Sequence, residues 1–231
     1  MKTLKTIIIL ALILPLVTTS CLNNKKKTIE IKEGLVGMIG YGSLMSLKSF
    51  EQTLGHQYTD SIYQVHLNDY LREWSYFRPI NDPASSSTSA LKYYGFILQN
   101  SDSIPFDGIV NLNISFKEKS KMNCILYLIT TDELLNFDRR EFGYQRVDVT
   151  EKIEEYSIQG GKVYVYAHIP DPQVKIDETK YILIKDLMEL ITNACDSIGT
   201  DFRNEYDDST IPYSGTGQIV SGRNITWRQG K

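Results

Sequence analysis

Leu35-Val36-Gly37-Met38-Ile39-Gly40-Tyr41-Gly42-Ser43-Leu44-Met45 opens as an apolar run and closes in a turn with two glycines in three positions. A short continuous run of this kind, ended by a turn signal, reads as a buried strand. The glycines let the chain turn tightly and present successive amide N–H groups, which suits an anion such as a carboxylate. Strand-to-helix turns that bind nothing use the same residues, so the turn alone assigns no site. Downstream, Leu47, Phe50 and Leu54 fall at helical spacing, and Gly55 follows as a stop.

Working onward, Tyr63, Val65 and Leu67 alternate with polar residues, and the aromatic-rich stretch Tyr70 to Phe77 predicts another strand. Leu91 to Leu98, Ile109 to Ile114 and Asn123 to Ile129 are further strand candidates. Ala84 to Ala90, after Pro79 and Pro83, reads as a loop, and Ser101 to Gly108 as a connecting loop. Thr130-Thr131-Asp132-Glu133 has the form of a capping box, with Leu134, Leu135 and Phe137 as the buried face and Gly143 as the end. Tyr144 to Thr150 and Lys162 to Ile169 predict strands, the second preceded by the turn Gly160-Gly161. From Ile184 to Ile198 the stripe Leu187, Leu190, Ile191, Ala194 and Ile198 is amphipathic, with Gly199 as C′. The polar, Gly-rich tail after Asp207 contains Ile219 and Trp227, which imply that it packs. Many short strands with about three helices, unevenly interspersed, favour α+β with a curved sheet or small barrel over a regular βαβ array.

Upstream, Lys2 and Lys5 precede the eleven-residue apolar stretch Ile7 to Val17, too short to span a bilayer and interrupted by Pro15. Thr18-Thr19-Ser20-Cys21 follows, and the whole resembles a bacterial lipoprotein signal. That resemblance implies cleavage before Cys21, lipidation there, and a place in the bacterial cell envelope, periplasmic or surface-exposed, anchored to the membrane through the lipid. Thr18 departs from the pattern, which prefers Leu or another aliphatic residue, and an ordinary secretory signal ending at a Cys is the other reading. Residues 21–33 are then expected to be a polar tether and 34–231 a single domain, although a body of this size also fits two small ones. Cleavage leaves 211 of the 231 residues and moves the formal net charge from −3 to −5. This acidity argues against a nucleic-acid partner. Three cysteines are too few for a disulfide scaffold. Cys124 reads as a buried hydrophobe, and whether it pairs with Cys195 is open.

His56, His66 and His168 are isolated, and neither a metal-binding spacing, a nucleophile elbow, a P-loop nor a dinucleotide fingerprint is present. What remains beside the Gly40–Met45 turn is Phe137-Asp138-Arg139-Arg140-Glu141-Phe142-Gly143-Tyr144-Gln145-Arg146-Val147. Glu141 lies in the last turn of a predicted helix, where the helix dipole disfavours an ionised carboxylate and Phe142 adds desolvation. Both raise its pKa toward general acid/base use. Arg139, Arg140 and Arg146 oppose this if they approach, and an exposed, ion-paired Glu is the alternative.

Together the Tyr41-Gly42-Ser43-Leu44 turn and the later D-x-R-E-x-G-Y-x-R segment resemble the gamma-glutamylcyclotransferase-like superfamily. The stretch Tyr70-Leu71-Arg72-Glu73-Trp74 and the late helix through Asp196-Ser197-Ile198-Gly199, with Phe202 and Tyr206 after it, fit the same pattern. The resemblance runs from Leu35 to about Tyr206; the loops Pro79 to Ala90 and Ser101 to Gly108 and the tail after Asp207 depart from it, and Phe142 and Gly143 replace small residues. It implies an α+β fold, a small mixed β-barrel or curved sheet. It also implies cyclisation of a γ-glutamyl group to 5-oxoproline, with Glu141 as acid/base and Tyr41, Gly42, Ser43 and Leu44 as substrate-binding residues. No metal or other cofactor is implied. Tyr144 and Arg146 are weaker candidates, one to line the pocket and the other to anchor a carboxylate. A catalytically inactive, lipid-anchored module for a γ-glutamyl or other small amino-acid ligand is the alternative reading. A surface adhesin built on the fold ranks below both.

Overall fold

The computed structural model describes residues 26–81 and 93–229. The signal segment, Cys21 and the loop Ala84 to Ala90 lie outside the described residues. The first six strands in chain order are β1 (Lys27–Glu30), β2 (Leu35–Gly40), β3 (Tyr63–Pro79), β4 (Tyr93–Gln99), β5 (Asp102–Phe106) and β6 (Gly108–Thr130). Then come β7 (Gln145–Asp148), β8 (Tyr156–Gln159), β9 (Val163–Ala167), β10 (Tyr181–Ile184), β11 (Thr210–Ile211), β12 (Gln218–Val220) and β13 (Ile225–Gln229). The α-helices are α1 (Leu47–Leu54), α2 (Thr131–Arg140), α3 (Lys185–Ile198) and α4 (Thr200–Asp208).

Two long strands, β3 of 17 residues and β6 of 23, form the antiparallel frame. Each joins two stretches that the sequence presents as separate strands. In β3 the reason is a change of parity. Val65 and Leu67 are buried at odd positions, whereas Tyr70, Arg72, Trp74 and Tyr76 are buried at even ones. A bulge between Asn68 and Tyr70, with Asp69 at φ 63°, inserts the residue that turns both sets to the same face. The main sheet runs β11-β3-β6-β2-β9-β7, with β10 beside the start of β6 and β12 beside β10. Its bulged strands curve it, but it does not close into a barrel. The fold is α+β, with four α-helices among the described residues against about three expected.

Several expectations are corrected by pairings that lie far apart in sequence. Lys27–Glu30, expected within the tether, forms β1 and pairs in parallel with β8, and Ile29 and Ile31 are buried. The expected loop Ser101–Gly108 contains β5, hairpinned to β4. The tail supplies β11, β12 and β13, the last paired with β4. Leu135 is 51% exposed and Leu190 38%, so neither belongs to the buried face assigned to its helix. Gly199 ends α3 and is followed at once by α4, a helix of its own through Phe202 and Tyr206. Cys124 and Cys195 are both buried and free.

The helices cover the sheet where they frame the site. Phe50 of α1 stacks on Tyr127 of β6, with centroids 3.8 Å apart, and lies 5.1 Å from Phe137 of α2. The capping box that starts α2 is formed as expected: Thr130 Oγ1 accepts from the Glu133 amide, and the Glu133 carboxylate accepts from the Thr130 amide. Deeper in, the wholly buried Arg72 donates to the Tyr41 carbonyl at 3.1 Å and to Asn123 Oδ1 at 2.7 Å, and lies over the Tyr206 ring. It thereby holds the glycine turn, β6 and α4 in one arrangement. Among the described residues no helix is long and apolar enough to cross a membrane.

Candidate active site

At the end of β2 the chain turns into a single 3-10 turn, Ser43–Met45, whose first amides have no partner within the turn. Gly40 is needed where strand becomes turn, because a Cβ there would lie 2.8 Å from the Leu44 carbonyl oxygen. Tyr41 is buried, and its hydroxyl donates to the Tyr166 carbonyl at 2.8 Å, so its side chain pins β9. Burial pushes its pKa well up, and that proton stays on oxygen. The Tyr41 hydroxyl is therefore committed to β9.

The facing wall is built by the end of α2. Glu141 is its C-cap, with its amide donating to the Phe137 carbonyl at 2.8 Å. The chain then turns back, Tyr144 N–H donating to the Glu141 carbonyl at 3.0 Å. Gly143 makes that turn possible: its φ is 84°, and a Cβ would lie 2.1 Å from the Tyr76 hydroxyl. His168 Nδ1 donates to the Gly143 carbonyl at 2.9 Å, and its ring stacks on Tyr76.

Between these walls lies a cavity of about 170 Å³. Tyr41, Gly42, Ser43, Leu44, Glu141 and Tyr144 all line it, with Leu187 and Ile191 of α3 and Tyr166 of β9. One side chain joins the two sequence segments. Arg140 donates to Ser43 Oγ at 3.0 Å and to the Ser49 carbonyl and Oγ at 2.7 and 2.9 Å, and also to Thr53 Oγ1. Its Nε stands 3.1 Å from Glu141 Oε1. Arg140 thus brackets the turn, α1 and the carboxylate together.

The Glu141 side chain is 17% exposed. Desolvation raises its pKa, the Arg140 and Arg78 guanidinium groups pull the other way, and the balance lies above the usual carboxylate value. Of the three arginines that the sequence offered as opposing influences, only Arg140 acts on Glu141, and the second is Arg78. Tyr144 donates its hydroxyl to the Leu112 carbonyl at 2.8 Å, and burial followed by Glu141 pushes its pKa up.

Arg146 is corrected: it does not line the cavity. On edge strand β7 it is drawn to Asp138, with Nε 3.1 Å from Oδ1, and lies over Tyr164. Arg140 lines the cavity, and so does a second cationic residue, Arg78, near the end of β3, which sequence reasoning passed over. Its single signal was a cationic residue closing an aromatic strand before Pro79. Asn111, Leu112 and Tyr166 were missed for the same reason, since only the sheet register brings them here. Among the described residues no group of three or more His, Cys, Asp or Glu is arranged to hold a metal ion.

No protein-family model matches this chain, and no curated protein matches it. Solved structures similar to it include a protein named gamma-glutamyl cyclotransferase, 12% identical, with 80% of this chain and 94% of that one covered at a TM-score of 0.45. An uncharacterized protein from Homo sapiens is 14% identical, with 81% and 95% covered and a TM-score of 0.44. YkqA from Bacillus subtilis is 14% identical, with 76% of this chain and 54% of that one covered at 0.43.

Proposed function

We propose that this protein is a gamma-glutamylcyclotransferase-like enzyme that closes a γ-glutamyl group to 5-oxoproline and releases the attached amine. The observation that carries the reading is Glu141, a largely buried carboxylate of raised pKa, bracketed by Arg140 to a turn whose first amides have no partner among the described residues, across a small cavity.

In this reading the amides at Gly42, Ser43 and Leu44 hold the substrate α-carboxylate, and the cavity folds the glutamyl chain back on itself. Glu141 takes a proton from the α-ammonium. The freed amine attacks the γ-carbonyl carbon, forming the ring C–N bond. The tetrahedral carbon then expels the leaving nitrogen, which receives the proton from Glu141, and the ring nitrogen passes its second proton to the regenerated carboxylate and on to the released amine, which leaves as an ammonium. One C–N bond forms, one breaks, and water is not consumed. Both reacting groups belong to one molecule, so orientation supplies much of the rate, with effective molarities reaching ~10⁵ M or more. Proton transfer by one positioned carboxyl adds typically ~10²–10⁴-fold. The chemistry asks for no enzyme nucleophile, metal or cofactor.

Incubating the purified protein with a panel of γ-glutamyl compounds and assaying 5-oxoproline tests the proposal. Turnover is expected for compounds with a free α-amine and none for their N-acetyl forms, whose nitrogen cannot attack. Absence of 5-oxoproline from every compound would leave the binding-module reading in its place. The envelope location belongs to the same proposal and rests on the signal sequence. Fatty-acid labelling in a bacterial host is expected at Cys21 and lost in Cys21→Ser; equal labelling of both would refute it.

A further inference from the structure

A second cavity of about 460 Å³ adjoins the first and shares Arg78 and Phe142 with it. The rest of its lining is Pro79, Ile80, Tyr93, Ile109 and Trp227. Three separate parts of the chain converge there: the end of β3, the start of β6, and the sheet formed by β4, β5 and β13. Tyr93 is 42% exposed and Trp227 47%, so two large aromatic side chains leave faces open at the cavity. Phe106 meets the Trp227 ring edge-on at 5.6 Å and fixes its orientation. At the boundary, the Arg78 guanidinium lies over the Phe142 ring at 5.3 Å. Among the described residues it forms no direct ion pair with a carboxylate.

We propose that this second cavity is the leaving-group subsite and that the favoured substrates are γ-glutamyl dipeptides whose second residue is aromatic or large and aliphatic. Arg78 receives the free carboxylate of that residue. The inference rests on the first cavity being the cyclisation site. In such a dipeptide the leaving nitrogen is one bond from the Cα that carries both the carboxylate and the side chain. With the glutamyl moiety in the smaller cavity, that Cα falls at the boundary. Its carboxylate then meets Arg78, the cationic side chain that the two cavities share among the described residues, and its side chain enters the apolar space beyond. A small or strongly polar leaving group would leave the Trp227 and Tyr93 faces against water. The products are 5-oxoproline and the free apolar amino acid.

The test compares γ-Glu-Phe, γ-Glu-Ala and γ-glutamyl-phenethylamine, the last being the phenylalanine compound without its carboxylate. Binding is followed by calorimetry and turnover by 5-oxoproline release. Wild-type protein is expected to bind γ-Glu-Phe about tenfold or more tighter than γ-Glu-Ala. Trp227→Ala is expected to remove most of that ratio, and Trp227→Leu, which keeps apolar bulk in β13, part of it. Arg78→Gln is expected to erase the preference for γ-Glu-Phe over γ-glutamyl-phenethylamine. Equal affinities for γ-Glu-Phe and γ-Glu-Ala would overturn the subsite. Equal weakening of γ-Glu-Phe and γ-glutamyl-phenethylamine by Arg78→Gln would overturn the role given to Arg78 and put it on the glutamyl carboxylate. Selective binding without 5-oxoproline would sink the cyclisation reading and keep the subsite; unselective turnover would do the reverse.

Discussion

Arg140→Met separates the two tasks of the bracket. Methionine keeps the apolar stem and deletes the fork that donates to Ser43, Ser49 and Thr53 and pairs with Glu141. Hydrogen bonds from a charged donor contribute ~1.5–3 kcal/mol each when buried, but this side chain is 27% exposed, and water replaces part of what is lost. A net destabilisation of about 2 kcal/mol is the expectation, which for a chain of this size lowers Tm by roughly 4–8 °C. The second effect is electrostatic. Arg140 is the larger of the two cationic influences that lower the Glu141 pKa, so its removal raises that pKa further. The acid limb of kcat/KM for 5-oxoproline release then moves to higher pH, and the loss of activity is greatest at low pH. Arg140→Lys keeps a charge near Glu141, so it is expected to lose stability while moving the acid limb less. Thermal unfolding and a pH series on the three proteins decide the matter. Wild-type Tm together with an unshifted acid limb in Arg140→Met would rule out both roles of Arg140.

Gly40→Ala forces a Cβ to 2.8 Å from the Leu44 carbonyl, which overpacks the turn by about 1–3 kcal/mol; a lowered Tm with reduced turnover is expected, and an unchanged Tm would count against the close approach. His66 is bonded to Glu155 and Glu205, 2.6 Å from the latter; burial opposes its charge, but the two carboxylates outweigh burial and raise its pKa. A raised histidine pKa contributes stability that is complete below the unfolded value of about 6.5 and is lost as pH rises through the folded value. The stability difference between wild type and His66→Gln should therefore shrink above pH 6.5, and a difference independent of pH would contradict it. Burial pushes the Cys124 thiol up to about 12 and Cys195 up to about 11, so neither should react with a thiol reagent at neutral pH until the protein unfolds. Mass-spectrometric labelling of either in the native state would contradict this.

Local devices were the legible part of the chain. The capping box at Thr130, the run Leu35–Ile39 and the stop at Gly55 act over a few residues, and each is formed as its pattern implies. The two motif segments were legible as a pair, because the turn and Glu141 line one cavity. What joins them was not. Arg139, Arg140 and Arg146 look alike in sequence, and only the packing of α1 against α2 selects Arg140 and leaves Arg146 to Asp138. Long-range pairing hid the rest. The β3 bulge at Asn68/Tyr70 broke one strand into two apparent ones. Edge strands such as β1 and β8 carry little apolar signal of their own and exist because they pair with each other. Arg78 and Trp227 acquire meaning only when β3 and β13 converge.

In the proposed reaction Glu141 carries the proton for ring closure. Glu141→Gln keeps the size and hydrogen-bonding capacity of the side chain and removes the titratable group, so 5-oxoproline release by this variant and by wild type, with binding of the same γ-glutamyl compound followed by calorimetry, tests it most directly. Turnover is expected to fall by ~10²-fold or more while affinity and fold are retained. In the wild type, kcat/KM should fall with an acid limb above the ordinary glutamate pKa of about 4.3, in keeping with the raised value. Wild-type rates of 5-oxoproline release from a folded Glu141→Gln protein would contradict it.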